Sequence, residues 1–272
     1  MTAGRRGWIA AVVLAGLFVS GPAQGLIERF IFYPDRDDFG TPASVGLTFQ
    51  DVELHAADGT RLHGWFVRGE RPETLLWFHG NAGNISHRVD NLRLLMAHVG
   101  ANVFMVDYRG YGRSDGTASE AGVYDDARGA LAYLRSRRDL KADQIVYFGQ
   151  SLGSAVAIEL ATHAPPRGLI LETPFTSVRA MAGALMPGPL GWLLPNAFDN
   201  LGRIRELRMP KLFIHGDNDE IVPYAQGREL YESAPPPKAF ATIRGAQHND
   251  IYVVGGATYF ARLRKFLDGL GE

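Results

Sequence analysis

The feature that most constrains this chain is a series of short, unbroken apolar runs, separated by stretches of helical periodicity. The runs are Thr74–His79 (TLLWFH), Asn102–Asp107 (NVFMVD), Gln144–Phe148 (QIVYF), Gly168–Leu171 (GLIL), Lys211–His215 (KLFIH) and Ala239–Ile243 (AFATI). A strand with one wet face alternates apolar and polar residues. A strand covered on both faces does not, and parallel sheets are built from such strands. Between the runs, apolar residues recur at helical spacing: Val89, Leu92, Leu95 and Met96; Val123, Ala127, Ala130, Leu131 and Leu134; Val156, Ala157 and Leu160; Tyr259, Leu263, Phe266 and Leu267. The alternation predicts an α/β fold, a mostly parallel doubly wound sheet with helices on both faces and right-handed crossovers. Upstream, Val52–Ala56 and Leu62–Val67 flank Asp58-Gly59 and read as a β-hairpin. A chain of 272 residues with no repeat or low-complexity tract fits one large domain with a full core.

Two stretches break the rhythm. From 175 to 208, Met181, Leu185, Met186, Leu190, Trp192, Leu193, Leu194 and Phe198 are interleaved with Pro187, Pro189 and Pro195. The stretch is too long for an ordinary connection and reads as a small cap over the carboxyl ends of the strands, or as a buried connecting helix. At the amino terminus, Arg5 and Arg6 precede an uncharged run from Gly7 to Ile27. Its core, Trp8–Ser20, has the length of a signal-peptide apolar region, and Gly21-Pro22-Ala23 supplies small residues for cleavage near Ala23. At ~1.5 Å per residue the whole run also just spans a ~30 Å hydrocarbon layer. Residues 1–27 are therefore expected to be a membrane anchor or a signal peptide. Residues 28–272 form the folded domain, exported either tethered to the membrane or secreted.

The strongest chemical signal is Gly149-Gln150-Ser151-Leu152-Gly153, directly after QIVYF and opening SAVAIELATH. A serine on a strand–turn–helix elbow is held in a strained turn, so the residues two away must be small, and its hydroxyl is lifted above the sheet beside a helix N-terminus. A serine hydroxyl needs a base, and in this sheet order the acid and base follow on later loops. His248 lies after the last strand on a glycine-flanked loop. His79 and His215 instead close strands, His55 and His63 lie in the hairpin, and His87, His98 and His163 fall on or beside helices. For the acid, Asp219 in GDNDEIVP is favoured over Asp217, Glu220 and Asp250, with Glu172 on the preceding loop as the rival. An oxyanion needs donors: the Leu152 N–H, just after the serine, and one from the loop His79–Asn84, with Asn81 first and Ala82 second.

Other features point away from further chemistry. Arg109, in Asp107–Ser114, is expected to pair with a carboxylate and fix its loop rather than bind an anion. Asn84-Ile85-Ser86 matches a glycosylation sequon, a pattern too short to carry weight alone. With no cysteine, the chain has no disulfide, thiol nucleophile or thiolate metal site. It carries 28 basic and 29 acidic side chains, a net charge of −1, which argues against nucleic acid as a partner. No metal-, nucleotide- or dinucleotide-binding motif is present, so no metal and no cofactor are expected.

The pieces FIFYP (30–34), HGNAGN (79–84), DYRGYGRS (107–114), GQSLG (149–153), ETPFTS (172–177), HGDNDEIVP (215–223) and GAQHND (245–250) together resemble the α/β-hydrolase superfamily. Within it they are most similar to the membrane-anchored branch that includes the yeast bud-emergence protein and related hydrolase-domain proteins, often labelled serine-aminopeptidase-like. The resemblance implies a Ser151–Asp219–His248 triad, an oxyanion role for the HGN turn, and an anchor just before FIFYP. Ser154 departs from the third glycine many relatives carry. The expected activity is a serine hydrolase of carboxylic esters or thioesters working through an acyl-enzyme, on a small-molecule or lipid-like acyl substrate. An amidase or peptidase on the same triad, and a non-catalytic membrane-tethered binding protein, are the alternatives. Substrate does not follow from fold.

Overall fold

A computed structural model describes residues 31–185 and 196–271. The chain enters as a two-residue strand, Tyr33–Pro34 (β1). The expected hairpin follows as Phe49–His55 (β2) and Arg61–Val67 (β3), antiparallel throughout with Val52 opposite Gly64. Thr74–Phe78 (β4) leads to a second two-residue strand, Ala82–Gly83 (β5), and a helix, Val89–His98 (α1). Asn102–Val106 (β6) precedes Glu120–Ser136 (α2), and Ile145–Gln150 (β7) precedes Leu152–His163 (α3). After Gly168–Glu172 (β8) come Val178–Leu185 (α4) and Asn200–Ile204 (α5). Lys211–Gly216 (β9), Tyr224–Ser233 (α6), Lys238–Ile243 (β10) and Ile251–Gly269 (α7) complete the described fold. Helix α7 is broken at Gly256, whose φ is 46°.

The main sheet runs β10-β9-β8-β7-β4-β6-β3-β2. The first six strands in that order are parallel to their neighbours, and β3 lies antiparallel to both β6 and β2. Period-2 geometry explains why the central runs are apolar at every position. Leu76 and Phe78 of β4, Phe104 and Val106 of β6, and Ile145 and Tyr147 of β7 join a core with α2 and α3. Their neighbours Leu75, Trp77, Val103, Met105, Val146 and Phe148 join a second core with α1 and α7. Each such side chain taken fully from water contributes roughly 1.5–3 kcal/mol. Helix α3 is buried from Leu152 through Ala161, as an apolar-all-round helix must be. The short β1–β5 pair, Tyr33 opposite Ala82, was not anticipated: two residues are too few to leave a period.

Of the stretch 175–208, the described parts are α4, α5 and their flanks. The expected cap residues Met186, Leu190, Trp192, Leu193 and Leu194 lie outside the described residues. Phe198 is fully buried and meets Phe32, Tyr124 and Phe175 edge-on. The apolar run 7–27 also lies outside the described residues. Among those that are described, no helix is long and apolar enough to cross a membrane. The parallel topology gathers the loops after β4, β7, β8, β9 and β10 at one edge of the sheet, where open α/β sheets bind ligands.

Candidate active site

Ser151 sits between β7 and α3 with φ 51° and ψ −113°, a conformation an L-residue adopts only under constraint. Such strain costs about 1–3 kcal/mol and persists where surrounding structure imposes it. The Ser151 N–H donates to the Glu172 carbonyl at 2.8 Å, and its own carbonyl accepts from the Ser154 N–H at 2.9 Å. The glycines two residues away are there for lack of room. A Cβ on Gly149 would collide with the Gly153 carbonyl, and one on Gly153 with the Phe78 carbonyl. Ser154 fits, and its hydroxyl reaches the carbonyls of Gly149 at 2.7 Å and Glu172 at 3.1 Å. The missing third glycine is thus replaced by a side chain that fastens the elbow.

The loops after β9 and β10 bring Asp219 and His248 to this serine. His248 Nε2 is 3.0 Å from Ser151 Oγ, and His248 Nδ1 is 2.8 Å from Asp219 Oδ2. Burial alone would raise the Asp219 carboxyl. Hydrogen bonds from His215 and His248, and the Val222 N–H, outweigh it and hold the carboxyl well below the usual carboxylate range. An ionised carboxylate only accepts, so Nδ1 carries the proton and Nε2 presents its lone pair to the serine hydroxyl. Neighbouring acids brace the same two loops. Asp217 accepts from the Gly245 N–H at 2.6 Å, Glu220 from the His248 N–H at 3.0 Å, and Asp250 from the Gln247 N–H at 2.7 Å.

The rival acid, Glu172, is buried one strand away and touches neither nitrogen of His248. Its carboxylate accepts from Tyr259 Oη at 2.5 Å and Gln150 Nε2 at 2.6 Å, and Gln150 in turn accepts from Trp77 Nε1 at 2.9 Å. Burial pushes its carboxyl up, against the pull of those two donors.

The remaining expected donors lie on the β4 loop and at the start of α3. The Leu152 N–H is the first of helix α3, where intrahelical partners are lacking. Asn81's side chain is already engaged. Its Nδ2 donates to the Ile31 carbonyl, and its Oδ1 accepts from the Tyr33 N–H at 3.1 Å and from Tyr111 Oη at 3.0 Å. With Oδ1 and one Nδ2 hydrogen engaged, Asn81 can still donate through its backbone N–H or its second Nδ2 hydrogen. Gly80 lies beside the serine: a Cβ there would be 3.6 Å from Ser151 Cβ, an ordinary contact.

A family profile described as serine aminopeptidase, S33, matches residues 69–204. The chain is 36% identical to the α/β hydrolase domain-containing protein WAV2 of Arabidopsis thaliana, across 93% of this chain and 92% of that protein. It is 34% identical to protein bem46 of Schizosaccharomyces pombe, across 93% and 91%. The chain is an α/β hydrolase. Its fold is also that of the Pyrococcus furiosus esterase Pf2001, with a TM-score of 0.73 at 22% identity, over 87% of this chain and 98% of that one.

Further residues brace the loops of the hydrolase, and Arg109 does so by the carboxylate pairing its sequence context predicts. His215 is more than a strand-closing residue: its Nε2 lies 3.2 Å from Asp219 Oδ2 and 3.1 Å from the Val222 carbonyl, with both side chains fully buried. The pattern HGDND hints at this only once the turn geometry is known. His79 is buried at the start of the β4 loop with Nδ1 2.7 Å from the Gly80 carbonyl, and burial pushes its pKa down to about 4. Arg109 pairs with Asp126 at 2.8 Å and Asp58 at 2.8 Å, tying the β6 loop to α2 and the hairpin turn. In the sequon, Asn84 is buried and its amide donates to the carbonyls of Asp35 and Asp37 at 3.0 and 2.8 Å. A glycan on that nitrogen would break both bonds.

Proposed function

We propose that this hydrolase cleaves carboxylic esters or thioesters through an acyl-enzyme, with Ser151 as nucleophile, His248 as general base and acid, and Asp219 as its orienting acid. The observation that carries the reading is the unbroken chain Ser151 Oγ–His248 Nε2 and His248 Nδ1–Asp219 Oδ2, at 3.0 and 2.8 Å. In the first half-reaction Nε2 takes the hydroxyl proton as Oγ bonds to the acyl carbon. The carbonyl electron pair moves to its oxygen, facing the N–H groups of Leu152 and Asn81. The imidazolium, stabilised by Asp219, protonates the leaving alcohol or thiol as its bond to carbon breaks. Water repeats the sequence on the acyl-enzyme, releasing the acid and restoring Ser151.

The apolar stretch 175–208 supports an acyl chain as the substrate's bulk. The run 7–27, preceded by Arg5 and Arg6, supports tethering to a membrane with the catalytic domain exported. The family description names an aminopeptidase, which favours an amidase or peptidase as the second reading. The test is covalent labelling by a fluorophosphonate, with turnover of p-nitrophenyl esters and p-nitroanilides in parallel. Labelling that vanishes in Ser151→Ala, with ester turnover exceeding anilide turnover, is the expected result. Anilide turnover in excess would establish the second reading. A folded protein that neither labels nor turns over would favour the binding-protein reading, or a cap that keeps the site closed without the membrane. Accessibility of a carboxyl-terminal tag to external protease tests export, and protection of the tag would overturn that topology.

A further inference from the structure

Arg88 follows the β5 loop and stands beside the nucleophile. Among the described residues it makes no ion pair within 4 Å, whereas Arg61, Arg71, Arg109, Arg128 and Arg137 each hold a carboxylate. Its Nη2 donates to the Ala82 carbonyl at 2.8 Å, while its buried Nε has no partner among the described residues. A guanidinium offers five N–H donors, so most of its capacity is unspent. The nearest buried acids are spoken for: Glu172 by Tyr259 and Gln150, and Asp107 by the Ile85 N–H at 2.9 Å. Arg88 is half-buried, and that burial pulls its pKa down. Leaving a desolvated charge unpaired is costly, and a bound anion removes that cost.

Position makes the charge meaningful. A Cβ built on Gly80 would lie 3.6 Å from Ser151 Cβ and 3.8 Å from Arg88 Nη2, ordinary contact distances. Serine and guanidinium thus both lie against Gly80, within about 7 Å of each other. A group held by Arg88 would sit a few bonds from a carbonyl presented to Ser151. We propose that Arg88 forms an anion subsite, so that the hydrolase acts on esters or thioesters bearing a carboxylate or phosphate a few bonds from the scissile carbonyl. This rests on the serine-hydrolase reading and specifies its substrate class. The fork geometry of arginine matches the two oxygens of either anion.

The test compares mono-p-nitrophenyl adipate with p-nitrophenyl hexanoate, two six-carbon acyl esters that differ in a terminal carboxylate. In the wild type, kcat/KM should favour the adipate by about ten-fold or more, the worth of a charge-assisted hydrogen bond. Arg88→Gln should bring that ratio toward one, and Arg88→Lys should keep part of it. Because both esters use the same oxyanion loop, general damage to the loop lowers both rates and leaves the ratio standing. Melting curves of both variants report folding. In a second arm, free adipate and inorganic phosphate should slow fluorophosphonate labelling of the wild type but not of Arg88→Gln. The more potent competitor names the anion. A wild-type ratio near one, a ratio unmoved by Arg88→Gln, or labelling unaffected by either anion would overturn the subsite while labelling and turnover leave the hydrolase reading intact. Absence of all labelling and turnover would overturn both.

Discussion

Glu172 and Asp219 end up one strand apart, both buried and both at the carboxyl edge of the sheet. Their surroundings make them opposites. Glu172 meets a phenol and an amide, groups that do not carry charge at neutral pH, and its carboxyl is pushed up. Asp219 meets two imidazoles and the backbone N–H groups of Ile221 and Val222, and its carboxyl is pulled down. Burial is common to both, so the partners decide. The loop after β9 keeps a carboxylate charge against His248 Nδ1. The end of β8 instead ties the elbow to α7 through Tyr259.

The comparison can be broken most severely at the residues it serves. Ser151→Ala and His248→Ala should each lower ester turnover by about 10⁴–10⁶-fold, and the double variant should fall little further, because the residues act as a unit. Near-additive losses in that cycle would dissolve the unit. Asp219→Asn should cost somewhat less, roughly 10³–10⁴-fold, through the wrong histidine tautomer. Glu172→Gln should cost under about ten-fold, since Gln150 and Tyr259 contact it but His248 does not. If the glutamine variant proves the slower enzyme, the roles assigned to the two acids are exchanged.

The smallest effects lie in stability, and they carry opposite signs. Between the depressed folded pKa of Asp219 and its unfolded value of about 3.9, the unfolded chain binds more protons. The stability Asp219 contributes relative to Asp219→Asn is therefore constant above about pH 5 and shrinks as the solution is acidified further. Glu172 has the reverse linkage. Its folded pKa is raised, so wild-type stability relative to Glu172→Gln falls as pH climbs above about 4.3. His79, at about 4 when folded and about 6.5 when unfolded, adds a loss of stability as pH drops from 6.5 to 4. Urea melts across pH 3–8 separate the three. Parallel curves for the two carboxylate variants would erase the distinction between the acids.

The central strands are legible in the sequence because both of their faces are buried, which leaves no polar alternation to blur them. The steric demand of the elbow is legible too, since Gly149 and Gly153 meet backbone within the same short turn or the adjoining β4. The choice between Glu172 and Asp219 is less so, because each lies at or just past the end of a strand and only the approach of the β10 loop separates them. The side-chain bonds of Asn81 run to Ile31 and Tyr33, about fifty residues upstream, and no local pattern announces a contact that distant. Arg88 escapes for a different reason. Its interest lies in a half-buried guanidinium whose Nε has no partner among the described residues, and a sequence does not display that.

The pairing of β1 with β5 has a practical consequence. Tyr33 and Pro34 lie alongside Ala82 and Gly83, and Ile31 and Tyr33 supply two of the contacts that hold Asn81. A chain trimmed to begin at Asp35 would lose that clasp, and the loop facing Ser151 would be released along with it. Its inactivity would then report a slackened loop rather than absent chemistry. The same clasp makes the entry strand a mechanical lever. A pull on the residues before Ile31 is delivered within a few bonds to the turn that faces the serine.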